Sequence, residues 1–314
     1  MILARVLQLG LAAPSLTTRS ALYENDSLSD ETYEVPGGFC ERGESTTVAF
    51  GRFAGKVAIV TGAAGTFGAA CARRFAAEGA SVALFDIRSP DEVRSELDAE
   101  HDQQNFTSHV VDVTDFGSVE AAVADVVASH GRLDYAFNNA GYQGDFLPVD
   151  RYDTEDFRRV TDVNLNGCFN VLKAAANAMQ SQTPRGGCIV QTASMAGHSA
   201  PPNMPAYAAS KAAVDQLTKA ASKDLAPFDI RVNSVSPAFI GPGFMWTRQI
   251  ELQAAAGSIY YDPDPAVVAR QMIDCTPLKR YGTIDEVVGP VLFLFSDDAS
   301  YLTGVDIQIT GGIN

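Results

Sequence analysis

Short apolar runs alternate with segments of helical spacing from about residue 53 to the end of the chain. Runs rich in β-branched and aromatic residues predict strands at 57–61, 81–87, 106–113, 133–137, 188–192, 230–235 and 305–310. Helical spacing predicts helices at 67–79, 117–130, 154–180, 205–226 and 283–295, and the stretch 236–282 is interpreted as rich in loops. Apolar strands that alternate with helices are typical of a parallel sheet covered on both faces. The pattern therefore predicts an α/β fold with a single doubly wound parallel sheet and helices on both faces.

The first 52 residues lack any sustained period, and we expect a flexible leader and linker at 1–52 followed by one domain at 53–314. Residues 1–23 hold two arginines, several Ser and Thr, and no acidic residue. That composition leaves two interpretations open, a targeting peptide or a plain extension. The expected location is the cytoplasm, or a mitochondrion or another organelle if residues 1–23 are a targeting peptide.

The formal net charge of the 314 residues is −15, a sign that disfavours a nucleic-acid partner. No apolar run approaches the roughly 18 residues of a membrane span, so no membrane partner is expected either. The five cysteines, at 40, 71, 168, 188 and 275, form no CxxC pair, and the four histidines show no metal-ligand spacing. We expect free thiols, no metal site, and a small-molecule substrate.

A glycine-rich turn follows the first predicted strand and opens the first predicted helix, in the sequence TGAAGTFG at 61–68. Small residues let the backbone approach a pyrophosphate, and a helix N-terminus offers free amides and a positive dipole end. This strand–turn–helix context is that of a Rossmann-type dinucleotide site. The expected cofactor contacts in the turn are Gly62, Gly65, Thr66, Phe67 and Gly68.

Polar residues at the ends of three further strands extend this nucleotide site. Asp86, beside Ile87, can accept hydrogen bonds from the adenosine ribose and would repel a 2′-phosphate, which favours NAD over NADP. Arg88 keeps NADP open as an alternative cofactor, because arginine can bind the 2′-phosphate of NADP. Asp112 and Val113 follow the third strand and are assigned to the adenine. Asn139, Ala140 and Gly141 follow the fourth strand at the edge where ligands bind in such sheets.

Tyr207 and Lys211 lie four residues apart in a predicted helix, so they share one face. A phenol with an ordinary pKa near 10 is a poor base at neutral pH, and a nearby ammonium lowers that pKa. The pair is therefore a candidate acid–base group. The spacing alone occurs often by chance, and other motifs must support it.

Five motifs in order, TGAAGTFG, DVTD, NNAG, VNLNG and YAASK, resemble the short-chain dehydrogenase/reductase family from about Gly55 to the C-terminus. The resemblance implies that Tyr207 exchanges a proton with the substrate and that Lys211 lowers the pKa of Tyr207 and binds the nicotinamide ribose. It implies that Ser194 orients the substrate oxygen and that Asn164 holds a water of the proton path. It also implies a homo-oligomer, in this family often a tetramer.

Two positions depart from the family pattern. Thr66 stands where the family has its middle glycine, and Ala238 follows Pro237 where a glycine is usual. The pyrophosphate contact and the carboxamide pocket can differ accordingly. Pro237 and the amide of Ile240 are the expected partners at the carboxamide end of NAD.

The segments FNNAGYQG, TASMAG, PPNMPAY, GPGFMW and RQIELQ more closely resemble the bacterial xylitol dehydrogenases of the family. They cover the rim of the site and the stretch that lids the substrate pocket, so the expected substrate is a polyol oxidised to a ketose. Ser194, Tyr207, Gln143, Asn203 and Trp246 are the expected substrate contacts. Two alternatives stay open, a reductase of a hydrophobic or acyl ketone and a catalytically silent nucleotide-binding module.

Overall fold

The structure is a computed structural model that describes residues 51–313. Its seven strands form one parallel sheet in the order β3-β2-β1-β4-β5-β6-β7. The strands are β1 (Val57–Thr61), β2 (Ser81–Asp86), β3 (Phe106–Val110), β4 (Tyr135–Asn138), β5 (Gly187–Thr192), β6 (Ile230–Pro237) and β7 (Asp306–Ile309). The predicted α/β fold, with a single doubly wound parallel sheet, is confirmed.

Ten α-helices connect these strands within the described range. They are α1 (Thr66–Ala77), α2 (Asp91–Glu100), α3 (Phe116–His130), α4 (Thr154–Thr161), α5 (Cys168–Ser181), α6 (Ala196–Ser199), α7 (Pro205–Leu225), α8 (Phe244–Ala255), α9 (Pro265–Cys275) and α10 (Ile284–Phe295). A π-helical segment, Asp162–Gly167, joins α4 to α5, so the long helix expected at 154–180 continues through a change of hydrogen-bond pattern.

The strand β1 shows why the sheet needs helices on both faces. All five of its residues are buried. Ala58 and Val60 contact one hydrophobic core with α1, α2 and α10, whereas Val57 and Ile59 contact a second core with α3, α5 and α7. Successive side chains of a strand point to opposite faces, so a strand that is apolar throughout must be covered twice.

Four helices were not predicted from the sequence pattern, namely α2, the four-residue α6, α8 and α9. The helix α2 buries only Val93 and Leu97, and it is too polar to stand out by its spacing. The helices α8 and α9 fall in the stretch 236–282, whose interpretation as rich in loops was wrong. They form a small core of their own around Trp246 and Met272. Their apolar residues are paired with each other rather than with the sheet, and local spacing gives little sign of such pairing.

The strand order reverses at β1, which pairs with β2 on one side and with β4 on the other. Connections leave in opposite directions from this point, and a crevice opens at the carboxyl ends of the strands. No helix within 51–313 is long and apolar enough to cross a membrane. The leader and linker predicted at 1–52 lie almost wholly outside the described residues, and so does Cys40.

Candidate active site

A cavity of about 760 Å³ lies in this crevice. It is lined by most residues that the sequence assigned to cofactor and substrate, namely Gly62, Gly65, Thr66, Phe67, Asp86, Ile87, Asp112, Val113, Asn139, Ala140, Gly141, Gln143, Ser194, Tyr207, Lys211, Pro237, Ile240 and Trp246. Three assigned residues, Gly68, Asn164 and Asn203, are not among its lining residues. The fold therefore brings together positions that are far apart in sequence and leaves these three behind the cavity wall.

The glycine-rich turn is shaped by the lack of side chains at two points. Gly62 has a φ of +67°, a left-handed conformation that favours glycine. A Cβ at Gly68 would overlap the carbonyl oxygen of Gly62 and lie 2.9 Å from Cα of Ala63, so α1 packs directly on the turn. No side chain caps the N-terminus of α1. Its first amides and its dipole face the cavity, an arrangement that fits a pyrophosphate.

The carboxylate of Asp86 is buried at the end of β2 and faces the same cavity. It accepts hydrogen bonds from the amides of Ala64 and Arg88, both at 3.0 Å. The guanidinium of Arg88 lies 3.8 Å away and is largely exposed. Asp86 therefore fixes the glycine-rich turn and presents negative charge at the end of the cavity that the sequence assigned to adenosine, where it would fit a ribose with free hydroxyls.

The ends of β3 and β4 complete the half of the cavity that the sequence assigned to the nucleotide. The carboxylate of Asp112 accepts from the amide and hydroxyl of Thr114, at 2.9 and 2.8 Å, so it closes a turn as well as lining the cavity. The hydroxyl of Thr61 accepts from the amides of Asn139 and Ala140 at 2.8 and 2.9 Å. These bonds hold the segment after β4 against the end of β1.

Lys211 and Tyr207 lie on α7 and face the cavity together with Ser194, which follows β5. The ammonium Nζ of Lys211 is 5.8 Å from the centre of the Tyr207 ring and donates to the carbonyl oxygen of Thr192 at 2.6 Å. The hydroxyl of Ser194 accepts from the amide of Ala196 at 3.1 Å. A hydroxyl, a phenol and an ammonium thus converge from two elements onto one space.

Burial controls the protonation of this group. It raises the pKa of Tyr207 above its usual value, and a hydrogen bond with Ser194 partly offsets that rise. Burial lowers the pKa of Lys211 to about 8. Lys211 was expected to lower the pKa of Tyr207, but in the protein without a bound cofactor burial raises that pKa.

Asn164 lies in the π-helical segment and is buried. Its side-chain oxygen accepts from the amide of Tyr142 at 2.7 Å, and its amide nitrogen donates to the carbonyl of Tyr142 at 2.9 Å. The same nitrogen donates to the hydroxyl of Ser210 at 3.0 Å. The side chain therefore joins α7 to the segment after β4.

The helix α8 covers the end of the cavity that the sequence assigned to the substrate, and α9 packs against α8. These two helices are here called the lid. Trp246 of α8 lines the cavity and packs edge-on against Phe239, with ring centres 6.0 Å apart. Its ring also lies 5.6 Å from that of Tyr281. Trp246 is thus part of the cavity wall and of the small core that holds the lid together.

Asn203 supports the lid rather than lining the cavity. It has a φ of +68°, and its amide donates to Gln253 Oε1 at 2.7 Å and to the hydroxyl of Ser258 at 3.0 Å. Gln253 in turn donates to the carbonyl of Pro202 at 3.2 Å and does line the cavity. The amide side chain that lines the cavity here is therefore that of Gln253, and Asn203 supports Gln253 from behind the cavity wall.

Several lining residues were missed by sequence reasoning. Those from the segment after Ser194 and from the lid region include Ser199, Pro201, Met204, Phe244, Met245, Gln249, Gln253 and Tyr261. The helical spacing of Met245, Gln249 and Gln253, each four residues after the last, could have indicated one face of a helix. His198 is not a lining residue, since its Nε2 lies 3.0 Å from Asp306 Oδ2 and 3.2 Å from the hydroxyl of Ser236.

Ile240 lies three residues after the carboxyl end of β6, and its main-chain amide, unpaired within residues 51–313, is free to bind a ligand. A short bridge pairs Ile240 with Gly282 through the carbonyl of Phe239 and the amide of Gly241. Neither of those bonds uses the amide of Ile240, and Ile240 lines the cavity. The amide of Ala238 is taken by the carbonyl of Ile309 at 3.0 Å, so it belongs to the sheet.

No cluster of three or more metal-ligating side chains occurs within 51–313. Cys71, Cys168 and Cys188 are free and buried, and Cys275 is free and exposed.

The family model described as enoyl-(acyl carrier protein) reductase matches residues 62–314. The chain belongs to the short-chain dehydrogenase/reductase family. It is 35% identical to levodione reductase of Leifsonia aquatica, over 83% of this chain and 95% of that protein. It is 38% identical to a 3-oxoacyl-(acyl-carrier-protein) reductase of Thermotoga maritima, over 83% and 99%.

Among solved structures, an NAD⁺-bound xylitol dehydrogenase is 49% identical and superposes with a TM-score of 0.79, over 83% of this chain and 99% of that chain. These family members act on different substrates. The comparisons therefore show an oxidoreductase of this family with a nucleotide-binding fold, and they leave the substrate of this chain open.

Proposed function

We propose that this short-chain dehydrogenase oxidises a polyol to a ketose with NAD as the hydride acceptor. The observation that carries the proposal is the convergence of Ser194, Tyr207 and Lys211 on one cavity whose substrate end carries several amide side chains. These amides are Gln143, Gln249 and Gln253, and they can exchange hydrogen bonds with a chain of hydroxyl groups. The likeness to an NAD⁺-bound xylitol dehydrogenase supports the same choice.

The proposed cofactor is NAD, which supplies the nicotinamide that takes up the hydride. Its pyrophosphate would bind at the N-terminus of α1, with Gly62, Gly65, Thr66 and Phe67 as backbone neighbours and Gly68 packed behind them. Asp86 and Ile87 would hold the adenosine ribose, and Asp112 and Val113 the adenine. The remaining proposed contacts are Asn139, Ala140, Gly141, Tyr207, Lys211, Pro237 and Ile240.

In this proposal Tyr207 takes the proton of the substrate hydroxyl during oxidation and returns it during reduction. Ser194 would donate its one hydroxyl proton to the substrate oxygen, and before a substrate binds its hydrogen bond with Tyr207 lowers the pKa of that phenol. Lys211 places a positive charge beside the phenol. Asn164 would conduct the proton onwards through a water on its main chain, since its side chain is engaged by Tyr142 and Ser210.

A reductase of hydrophobic ketones is a second candidate, and two residues favour it. Phe244 and Met245 line the cavity, yet their side chains are 72% and 41% exposed. Apolar side chains at the mouth of a cavity suit an apolar substrate. The relatives that reduce levodione and 3-oxoacyl groups belong to this class by name.

The deciding experiment is a steady-state comparison of NADH formation with xylitol, other five- and six-carbon polyols, and simple secondary alcohols. We expect a higher kcat/KM with a polyol. A higher value with hydrophobic alcohols would favour the second candidate. Binding of NAD without turnover of any substrate would favour a silent nucleotide-binding module. We further propose a homo-oligomer, a tetramer, which sedimentation equilibrium would test.

A further inference from the structure

The segment 142–145, here called the Gln143 loop, leaves the catalytic group and runs along the substrate end of the cavity. It begins beside Gly141, where a Cβ would lie 3.6 Å from Nζ of Lys211 and 3.4 Å from Oδ1 of Asn164. Two residues of extended chain span about 7 Å, so Gln143 lies within reach of a substrate bound at Lys211. Gln143 is 5% exposed and lines the cavity.

The amide oxygen of Gln143 has no hydrogen-bond partner within residues 51–313. Leaving a buried polar atom unpaired costs about 1–3 kcal/mol, so such atoms are rare away from sites that bind something. A hydroxyl group of a substrate would satisfy the amide. The catalytic group does not use this side chain.

One carboxylate holds the Gln143 loop in place. Asp156 of α4 accepts from the hydroxyl of Tyr142 at 3.1 Å, from the hydroxyl of Tyr152 at 2.7 Å, and from the amide of Asp145 at 2.8 Å. Tyr142 and Asp145 lie directly on either side of Gln143 and Gly144. The carboxylate therefore binds both ends of the four-residue loop.

The backbone of the Gln143 loop packs closely against Tyr152 and Asp156 at Gly144. The φ of Gly144 is +68°, and a Cβ there would lie 2.6 Å from the hydroxyl of Tyr152 and 2.7 Å from Oδ2 of Asp156. From the lid, Arg248 donates to the carbonyl of Gly144 at 2.9 Å. The Gln143 loop therefore contacts α4 on one side and α8 on the other, and these contacts leave Gln143 little conformational freedom.

We propose that Asp156 is the positioning residue of the Gln143 loop and that it sets the amide of Gln143 to bond a hydroxyl group on the substrate chain next to the reacting carbon. The proposal rests on the proposed polyol function and adds to it the residue that reads the neighbouring hydroxyl. Asp156 acts only through the loop, because its carboxylate is occupied by Tyr142, Tyr152 and Asp145.

The test compares kcat/KM for xylitol with that for a secondary pentanol, which lacks the neighbouring hydroxyls, in wild type, Gln143→Leu, Asp156→Asn and Tyr152→Phe. Glu155→Gln is the matched control, since it makes the same chemical change one position earlier on α4. NAD titration and thermal melting of each variant confirm that the fold is intact. Tyr152→Phe removes one bond only and keeps the test open if Asp156→Asn is unstable.

We expect Gln143→Leu to reduce the wild-type preference for xylitol about tenfold, mainly through KM. Asp156→Asn and Tyr152→Phe reduce the same preference, whereas Glu155→Gln keeps it, and NAD affinity is unchanged throughout. In the double variant Asp156→Asn/Gln143→Leu the loss is no larger than in Gln143→Leu, because both changes remove one interaction.

A wild-type enzyme without preference for xylitol contradicts the proposed function and this inference together. A wild-type preference that survives in Asp156→Asn and Tyr152→Phe overturns this inference alone. Equal losses on both alcohols, or losses that add in the double variant, also overturn it, because they indicate a general structural role.

Discussion

The ammonium of Lys211 on α7 donates a hydrogen bond to the main-chain carbonyl of Thr192 at the end of β5, at 2.6 Å. This bond ties α7 to the strand that precedes Ser194. It also gives a buried cation one acceptor, and that acceptor carries no charge. Lys211 is held beside Tyr207, in the proposed catalytic group, and the burial of its charge costs stability.

Replacing Lys211 by methionine is expected to stabilise the protein without added NAD at pH 7. The pKa of Lys211 is lowered to about 8, so below pH 8 the folded chain carries a poorly solvated charge. Between pH 8 and the ordinary pKa the unfolded chain holds a proton that the folded chain lacks, so the free energy of unfolding rises with pH. Lys211→Met should raise the free energy of unfolding by about 1–2 kcal/mol at pH 7, after allowance for the lost bond to Thr192. This advantage over wild type should shrink as the pH rises above 8.

Thermal melting of wild type and Lys211→Met from pH 7 to 10 measures this effect. A melting temperature a few degrees higher at pH 7, converging above pH 8, is the expected pattern. Lys223→Met is the control, since Lys223 is an exposed lysine near the end of the same helix. A destabilised Lys211→Met at pH 7 would contradict the prediction.

Tyr207→Phe is expected to lower turnover at least a hundredfold while leaving NAD affinity unchanged, because the ring stays and only the proton carrier is lost. In wild type, burial raises the pKa of Tyr207, so the phenolate is a minority form at neutral pH. Alcohol oxidation should therefore increase with pH and ketone reduction should decrease. Steady-state kinetics of alcohol oxidation and ketone reduction, together with NAD titration, test this prediction. If Tyr207→Phe keeps a tenth of wild-type turnover, Tyr207 is not the proton carrier.

Ser194→Ala should move the rise of alcohol oxidation to higher pH as well as reduce turnover. The hydrogen bond from Ser194 lowers the pKa of Tyr207 against the effect of burial, so its removal lets that pKa rise further. The pH profile of kcat/KM for the polyol is the measurement. Ser199→Ala, at another cavity residue, should leave the profile in place. An unshifted profile in Ser194→Ala would show that the bond does not govern Tyr207.

Asp86→Ser is expected to narrow the preference for NAD over NADP by at least about tenfold, roughly 1.4 kcal/mol. The buried carboxylate would repel a 2′-phosphate, and its removal leaves Arg88 nearby as a favourable partner. The kcat/KM ratio for the two cofactors measures the change. A wild-type preference for NADP would refute the role given to Asp86.

Asn203→Gly and Asn203→Ala separate two contributions of one residue. Both lose the bonds to Gln253 and Ser258, so both should raise the KM for the alcohol. Only alanine adds strain at a φ of +68°, so Asn203→Ala should be less stable by about 1 kcal/mol than Asn203→Gly. Kinetics and melting of the pair test the assignment; an unchanged KM in both would show that the lid does not depend on Asn203.

The strands β1 and β2 could be predicted from sequence because each is a short apolar run that must be buried whatever its neighbours are. The proposed nucleotide half of the site could be assigned for a similar reason, since Gly62 and Gly68 serve local backbone geometry and Asp86 ends a strand. The lid helices α8 and α9 could not be predicted so well. Their apolar residues, among them Trp246 and Met272, contact one another across a loop, and a pattern read along the chain does not show which partner covers them.

The sequence by itself determined the doubly wound class, the glycine-rich turn and the pairing of Tyr207 with Lys211, because strand burial, backbone conformation and helical spacing act over a few residues. Only the tertiary structure decided that Asn203 supports the lid while Gln253 lines the cavity, and that Asp156 clasps the loop of Gln143. These roles depend on which side chains meet across 50 or 11 positions of sequence. Solvation decided the pKa of Tyr207 in the same way, since the burial that raises it is a property of the assembled fold.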